Sequence, residues 1–142
     1  MENTANVERA GSLFLLQNVE AFADGELSLE INSSDDDGVG VVFRYQDSEN
    51  YYLWSSHAQR PFRALAIKQG ARYQVLAEEA EGYQRGKWFA VKFVFSGSQI
   101  TGFVNGEKEF EVQDPTFASG AIGLYSWGNS GVQFRNVRFK TK

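Results

Sequence analysis

Apolar residues in this chain recur at every second position, and that period limits its possible folds more than any other feature. In DGELSLEIN (24–32), Leu27, Leu29 and Ile31 fall on one side, while Glu26, Ser28 and Glu30 fall on the other. Successive side chains of a strand point to opposite faces, so this is the pattern of a half-buried strand. KWFAVKFVFS (87–96) repeats it, with Phe89, Val91, Phe93 and Phe95 on a face opposite Lys92. Further strands are expected at 11–19, 39–46, 51–57, 62–69, 72–78, 99–104, 107–113, 120–127 and 131–140, bounded by Gly, Asn, Asp and Ser clusters. No window carries a helical period.

Turn chemistry sets part of the register. Val104-Asn105-Gly106-Glu107 is a strong hairpin signal, because a type I′ turn needs positive φ at both central residues and Asn-Gly adopts it at little cost. A two-residue turn there sets Phe103 opposite Lys108, with Phe110 and Val112 expected on the face of Phe103. WGNSG (127–131) reads as another tight reversal, and Asp114-Pro115 closes the strand before it.

Eleven strands in 142 residues, with 12 Phe and 6 Tyr to fill the space between facing sheets, predict an all-β, two-sheet antiparallel sandwich of jelly-roll type. The length suits one domain spanning 1–142, with residues 1–10 a disordered or linker-derived start. There is no cysteine, which rules out disulfides, thiolate metal sites and a cysteine nucleophile. The formal charge of -4, with both signs interspersed, gives no electrostatic footprint for nucleic acid. The apolar run Leu13–Leu16 is too short for a signal core or a membrane span, so no membrane insertion is expected.

The order of motifs is informative. DDDGVGVVFRYQDSENYYLWSS (35–56) resembles the start of the thrombospondin C-terminal lectin-like domain: three Asp, a Gly, an aromatic, a Tyr-Gln pair and an aromatic strand ending near a Trp. GSQITGFVNGEKEF (97–110) and GAIGLYSWGNSGVQFRNVRF (120–139) resemble the end of that domain and of the wider concanavalin A-like, laminin G-like group, which includes bacterial carbohydrate-binding modules. Together the resemblance covers most of 24–140. It implies a concanavalin A-like sandwich, a calcium site and a glycan or cell-surface ligand. Where many bacterial relatives have Phe-Asp-Asn-Val in the last strand, this chain has Phe134-Arg135-Asn136-Val137, and the acidic ligand that some of them supply there is missing.

Asp35, Asp36 and Asp37 offer several hard oxygens from one loop, and Ca²⁺ takes 6–8 oxygens in flexible geometry. Neighbouring residues of an extended strand point apart, so shared ligation requires the loop to turn, which Ser33-Ser34 and Gly38 allow. The alternative is a solvated acidic turn. For a sugar, which has an apolar face and a polar edge, the candidates are Tyr52 and Trp54 on one strand, Arg44 alternating with core-facing Phe43 and Tyr45, and Trp127 at the mouth of a turn. Whether Arg44 and Trp54 share a face depends on the 47–50 reversal, since one residue of register swaps faces.

Catalysis finds less support. Glu26 and Glu30 share a face about 13 Å apart at ~3.3 Å per residue. Glycosidase carboxylates stand about 5–5.5 Å apart (retaining) or about 6.5–9.5 Å apart (inverting). His57, in SSHAQRPF (55–62), reads as a loop histidine with no second imidazole for a metal. The expectation is therefore a noncatalytic, calcium-binding recognition module for glycan or a cell-surface ligand. It would be extracellular or at the cell surface and part of a larger adhesin or glycan-processing protein, next to other domains of that parent. A structural spacer and a small glycoside-active enzyme are the alternatives.

Overall fold

The computed structural model describes residues 12–16, 23–59, 61–129 and 131–141. Eleven strands form two sheets. They are β1 (Ser12–Leu15), β2 (Gly25–Ser33), β3 (Gly38–Asp47), β4 (Asn50–His57), β5 (Phe62–Gln69), β6 (Arg72–Glu79), β7 (Phe89–Ser96), β8 (Gln99–Val104), β9 (Glu107–Gln113), β10 (Ala121–Trp127) and β11 (Val132–Thr141). The six-stranded sheet has the order β1-β10-β3-β4-β5-β6, and the five-stranded sheet β11-β2-β7-β8-β9. Every pairing is antiparallel. No helix forms among the described residues, so none there is long and apolar enough to cross a membrane. The strand expected at 11–19 is β1; residues 11 and 17–19, like the start at 1–10, lie outside the described residues.

The two inner faces make the core. Leu27, Leu29 and Ile31 of β2 and Val91, Phe93 and Phe95 of β7 pack against Val41 and Phe43 of β3, Tyr52 and Trp54 of β4, and Leu65 and Ile67 of β5. The strict in-out pattern of β2 and the apolar positions of β7 follow the period-two reading. Rings dominate the interface: Phe43 lies 5.2 Å from Phe93, and Trp54 meets Phe93 edge-on at 5.6 Å.

Bulges decide which side chains leave the alternation. Asn105 and Gly106 have φ of 51° and 85°, as the hairpin requires, and Phe103 pairs with Lys108. One residue later the register slips, so that Gly102 faces Phe110 and Glu109 is extra. Phe110 and Val112 consequently pack toward the core, against the expectation that they share a face with Phe103. On β3 a second irregularity between Phe43 and Asp47 carries Arg44 at φ 47°. It turns Arg44 inward and sends Tyr45 to the outer face, where it stacks on Tyr51 at 5.6 Å.

Candidate functional site

Three of the four expected ligand contacts lie in the interior. Arg44 is 1% exposed, Tyr52 0% and Trp54 1%, and a side chain with no accessible surface offers a ligand no contact area. The aromatic richness that suggested platforms is instead consumed by the core. Arg44 bridges two chain segments: Nη2 donates to the Ala23 carbonyl at 2.9 Å and Nη1 to the Phe117 carbonyl at 3.1 Å. Tyr52 donates its hydroxyl to Asp114 Oδ1 at 2.6 Å. Trp127 is the exception, half-buried at the end of β10 with its ring 6.4 Å from that of His57. His57 is the last residue of β4, stacked on Phe62 at 4.5 Å.

The topology gathers the remaining candidates at one end of the sandwich. There lie the described residues between strands at 34–37, 58–59, 61, 80–88, 105–106, 128–129 and 131. Hydrogen bonds knit these turns together. Tyr83 donates to the carbonyls of Asp35 (3.0 Å) and Asp37 (2.6 Å), Asn129 Nδ2 to Ser33 Oγ (2.7 Å), and Ala58 and Gln59 donate backbone N–H groups to the Asp36 carbonyl. Burial of the Tyr83 hydroxyl pushes its pKa up to about 12.

Within this end the three aspartates turn toward a common point, with ligand oxygens within 4.8 Å of one another. Oxygens bound to one Ca²⁺ at 2.3–2.6 Å can be at most about 5 Å apart, so the carboxylates fit a shared ion. The backbone carbonyls of Asp35, Asp36 and Asp37 already accept hydrogen bonds from Tyr83, Ala58, Gln59 and Asn129. The other places in such a shell fall to water more readily than to these carbonyls.

Beside the triplet opens a cleft of about 480 Å³ whose lining includes Pro61, Arg63, Glu81, Lys87, Trp88 and Asn105. Arg63 is held by a forked ion pair with Glu109, Nη2 to Oε2 being 3.1 Å, and reaches Glu81 at 3.8 Å. The extra residue of the β9 bulge is thus the anchor that orients Arg63. Arg135 covers one face of the Trp88 ring, its guanidinium carbon 3.8 Å from the centroid. Sequence reasoning missed both Trp88 and Arg63. Trp88 carried a usable signal, since alternation in KWFAVKFVFS puts it with Lys92 on the outward face; Arg63, flanked by buried Phe62 and Ala64, carried none.

The carboxylates considered for catalysis are committed elsewhere. Glu26 lies 3.7 Å from Lys92, and Glu30 accepts from Arg135 Nε and from Asn136 Nδ2. The hydrogen bond from Arg135 is the chief reason that the Glu30 pKa lies below the ordinary value.

The architecture is that of a concanavalin A-like jelly-roll sandwich. It is similar to a carbohydrate-binding module, CBM66 of Bacillus subtilis, with a TM-score of 0.83 at 20% identity over 95% of this chain and 88% of that one. It is also similar to the galectin LEC-6 of Caenorhabditis elegans, with a TM-score of 0.63 at 18% identity over 94% and 90% of the two chains. A candidate glycosyl hydrolase of Parabacteroides distasonis gives 0.68 at 14% identity over 87% and 74%. At these identities the likeness is one of fold. Residues 2–140 match the 3-keto-alpha-glucoside-1,2-lyase-like domain, and the chain belongs to that family. No curated protein sequence matches it.

Proposed function

We propose that the protein is a noncatalytic glycan-recognition module of a larger extracellular or cell-surface protein, and that the sugar sits in the end cleft. The observation that carries this reading is the cleft's composition. An indole at Trp88 and the ring of Pro61 supply apolar surface, while Arg63, Glu81, Lys87 and Asn105 supply hydrogen-bonding groups around it. That combination suits a sugar ring, and the volume lies within the roughly 300–1,000 Å³ usual for small-ligand sites. The fold shared with a carbohydrate-binding module and a galectin supports the same reading. Trp127, half-buried nearby and outside the cleft lining, is the second aromatic candidate.

Calcium belongs to the proposal as a brace. Asp35, Asp36 and Asp37 would hold it, and Tyr83, which lines the cleft, is hydrogen-bonded to their loop. The ion would offset repulsion among three close carboxylates and stiffen the loop.

A family described as lyase-like makes turnover the reading to test beside binding. The experiment is a glycan array followed by product analysis of every glycan bound. Binding with no new products is the expected result. Hydrolysis or elimination would make the protein an enzyme, and no binding anywhere would leave a structural spacer.

A further inference from the structure

The outer face of the five-stranded sheet holds a second depression, of about 420 Å³, lined by residues that include Ser28, Glu30, Lys92, Phe103, Asn136 and Arg138. Two bulges build it. The slip at Glu109 leaves Phe103 outward while Phe110 turns inward, and Lys92 Nζ stands 4.9 Å from the Phe103 centroid. On β11, Asn136 at φ 53° and Val137 together oppose Leu29, which brings Arg138 opposite Ser28. Bulges commonly re-aim side chains beside functional sites.

The charges there do not cancel. Glu30 takes its hydrogen bonds from Arg135 and Asn136, and Arg138 acts on it only as a more distant charge. Lys92 pairs with the half-exposed Glu26 at 3.7 Å, a pair that solvent screens. Lys92 and Arg138 therefore present cationic donors in one cross-strand row that runs Arg138, Ser28, Lys92, Phe103, with Lys92 next to the aromatic ring. The depression borders the end cleft at the Asn105-Gly106 turn: Asn105 lines the cleft and Gly106 the depression. Asn105 is tied to Ala90, which also lines the depression, by N–H to carbonyl at 2.8 Å and by Oδ1 accepting from the Ala90 N–H at 2.9 Å.

We propose that this depression is a second subsite that takes an acidic sugar residue, so that the ligand is an anionic oligosaccharide running from the end cleft across the Asn105-Gly106 turn. The inference rests on the glycan-recognition reading above. The apolar face of a uronate ring would lie over Phe103 and its carboxylate against the adjacent Lys92, with Arg138 beyond Ser28 adding to the cationic field and Ser28 and Asn136 offering partners to hydroxyls.

The test uses an array of oligogalacturonates, alginate oligomers and glucuronoxylan oligomers beside neutral oligosaccharides. Titrations of the bound glycans follow, at low and high salt, with wild type, Lys92→Gln/Arg138→Gln and Phe103→Ala. All three positions lie at the surface or half-buried, and thermal melts check the fold. The expected result is preferential binding of the acidic glycans, weakened by salt, with the paired variant losing roughly tenfold or more. Binding of neutral glycans alone, or an acidic preference that survives in folded Lys92→Gln/Arg138→Gln, would overturn the second subsite while leaving the end cleft intact. No binding to any glycan would remove both.

Discussion

Trp54, Arg44 and Tyr52 show how far a single residue can be read from its neighbours in sequence. Their types suit sugar binding, yet each contributes instead to packing or to a buried hydrogen-bond network. Alternation placed Tyr52 and Trp54 together correctly, but which face they share is set by the partner sheet. Arg44 was unreadable for another reason: its positive φ breaks the alternation that would have turned it outward. Trp54→Ala should therefore cost about 3–5 kcal/mol of stability through the cavity left beside Phe93, read by chemical denaturation. Asp114 carries a pH signature. Burial works against its ionised form, but hydrogen bonds from Tyr52 and Thr116 outweigh this and lower its pKa. The stabilisation is fully present above the ordinary aspartate value of about 3.9 and is lost as pH falls through the lower folded value. Denaturation midpoints of Asp114→Asn should lack that part of the acid-induced loss; an unchanged acid limb would remove the assignment.

At the scale of elements, all eleven expected strands are present: period two marks β2 and β7, which bury one face, while β3, β4 and β5 are buried on both faces and stand out as apolar runs between turn residues. The Asn105-Gly106 turn was legible from two residues, since positive φ is a local demand. Its consequences fail one step further, at Glu109, because the bulge there joins β9 to Arg63 of β5, a partner 46 residues away that no local pattern encodes. The Phe110 ring lies over Gly102, where a Cβ would overlap it. Gly102→Val should then destabilise the protein by about 1–3 kcal/mol, lowering the urea midpoint at constant slope. The same substitution at an unbulged outward position should be nearly silent.

For the whole molecule, strand order was not readable from the chain. WGNSG looked like a tight reversal but in fact carries the chain from the six-stranded to the five-stranded sheet. Such crossings bring the Asp triplet, Tyr83, Asn129 and Trp88 to one end, and only the triplet and Trp127 were singled out there from sequence. The calcium proposal predicts linkage at this scale. An ion bound only by the folded state adds about 2.7 kcal/mol at a hundredfold excess over Kd, which is several degrees in melting temperature. Chelator should reverse the shift and magnesium should produce less, while Asp36→Ala should abolish it. Equal melting in calcium and in chelator would make the triplet a solvated turn.

The end cleft itself is tested most directly by tryptophan fluorescence, because the three indoles sit in different places: Trp54 in the core, Trp88 in the cleft and Trp127 outside its lining. The strongest-binding glycan is titrated into wild type, Trp88→Phe and Trp127→Phe. The expected result is a saturable change in wild type that persists in Trp127→Phe and disappears, with weakened affinity, in Trp88→Phe. An undiminished signal and affinity in Trp88→Phe, lost instead in Trp127→Phe, would contradict the cleft and move the sugar to the outer face of the six-stranded sheet.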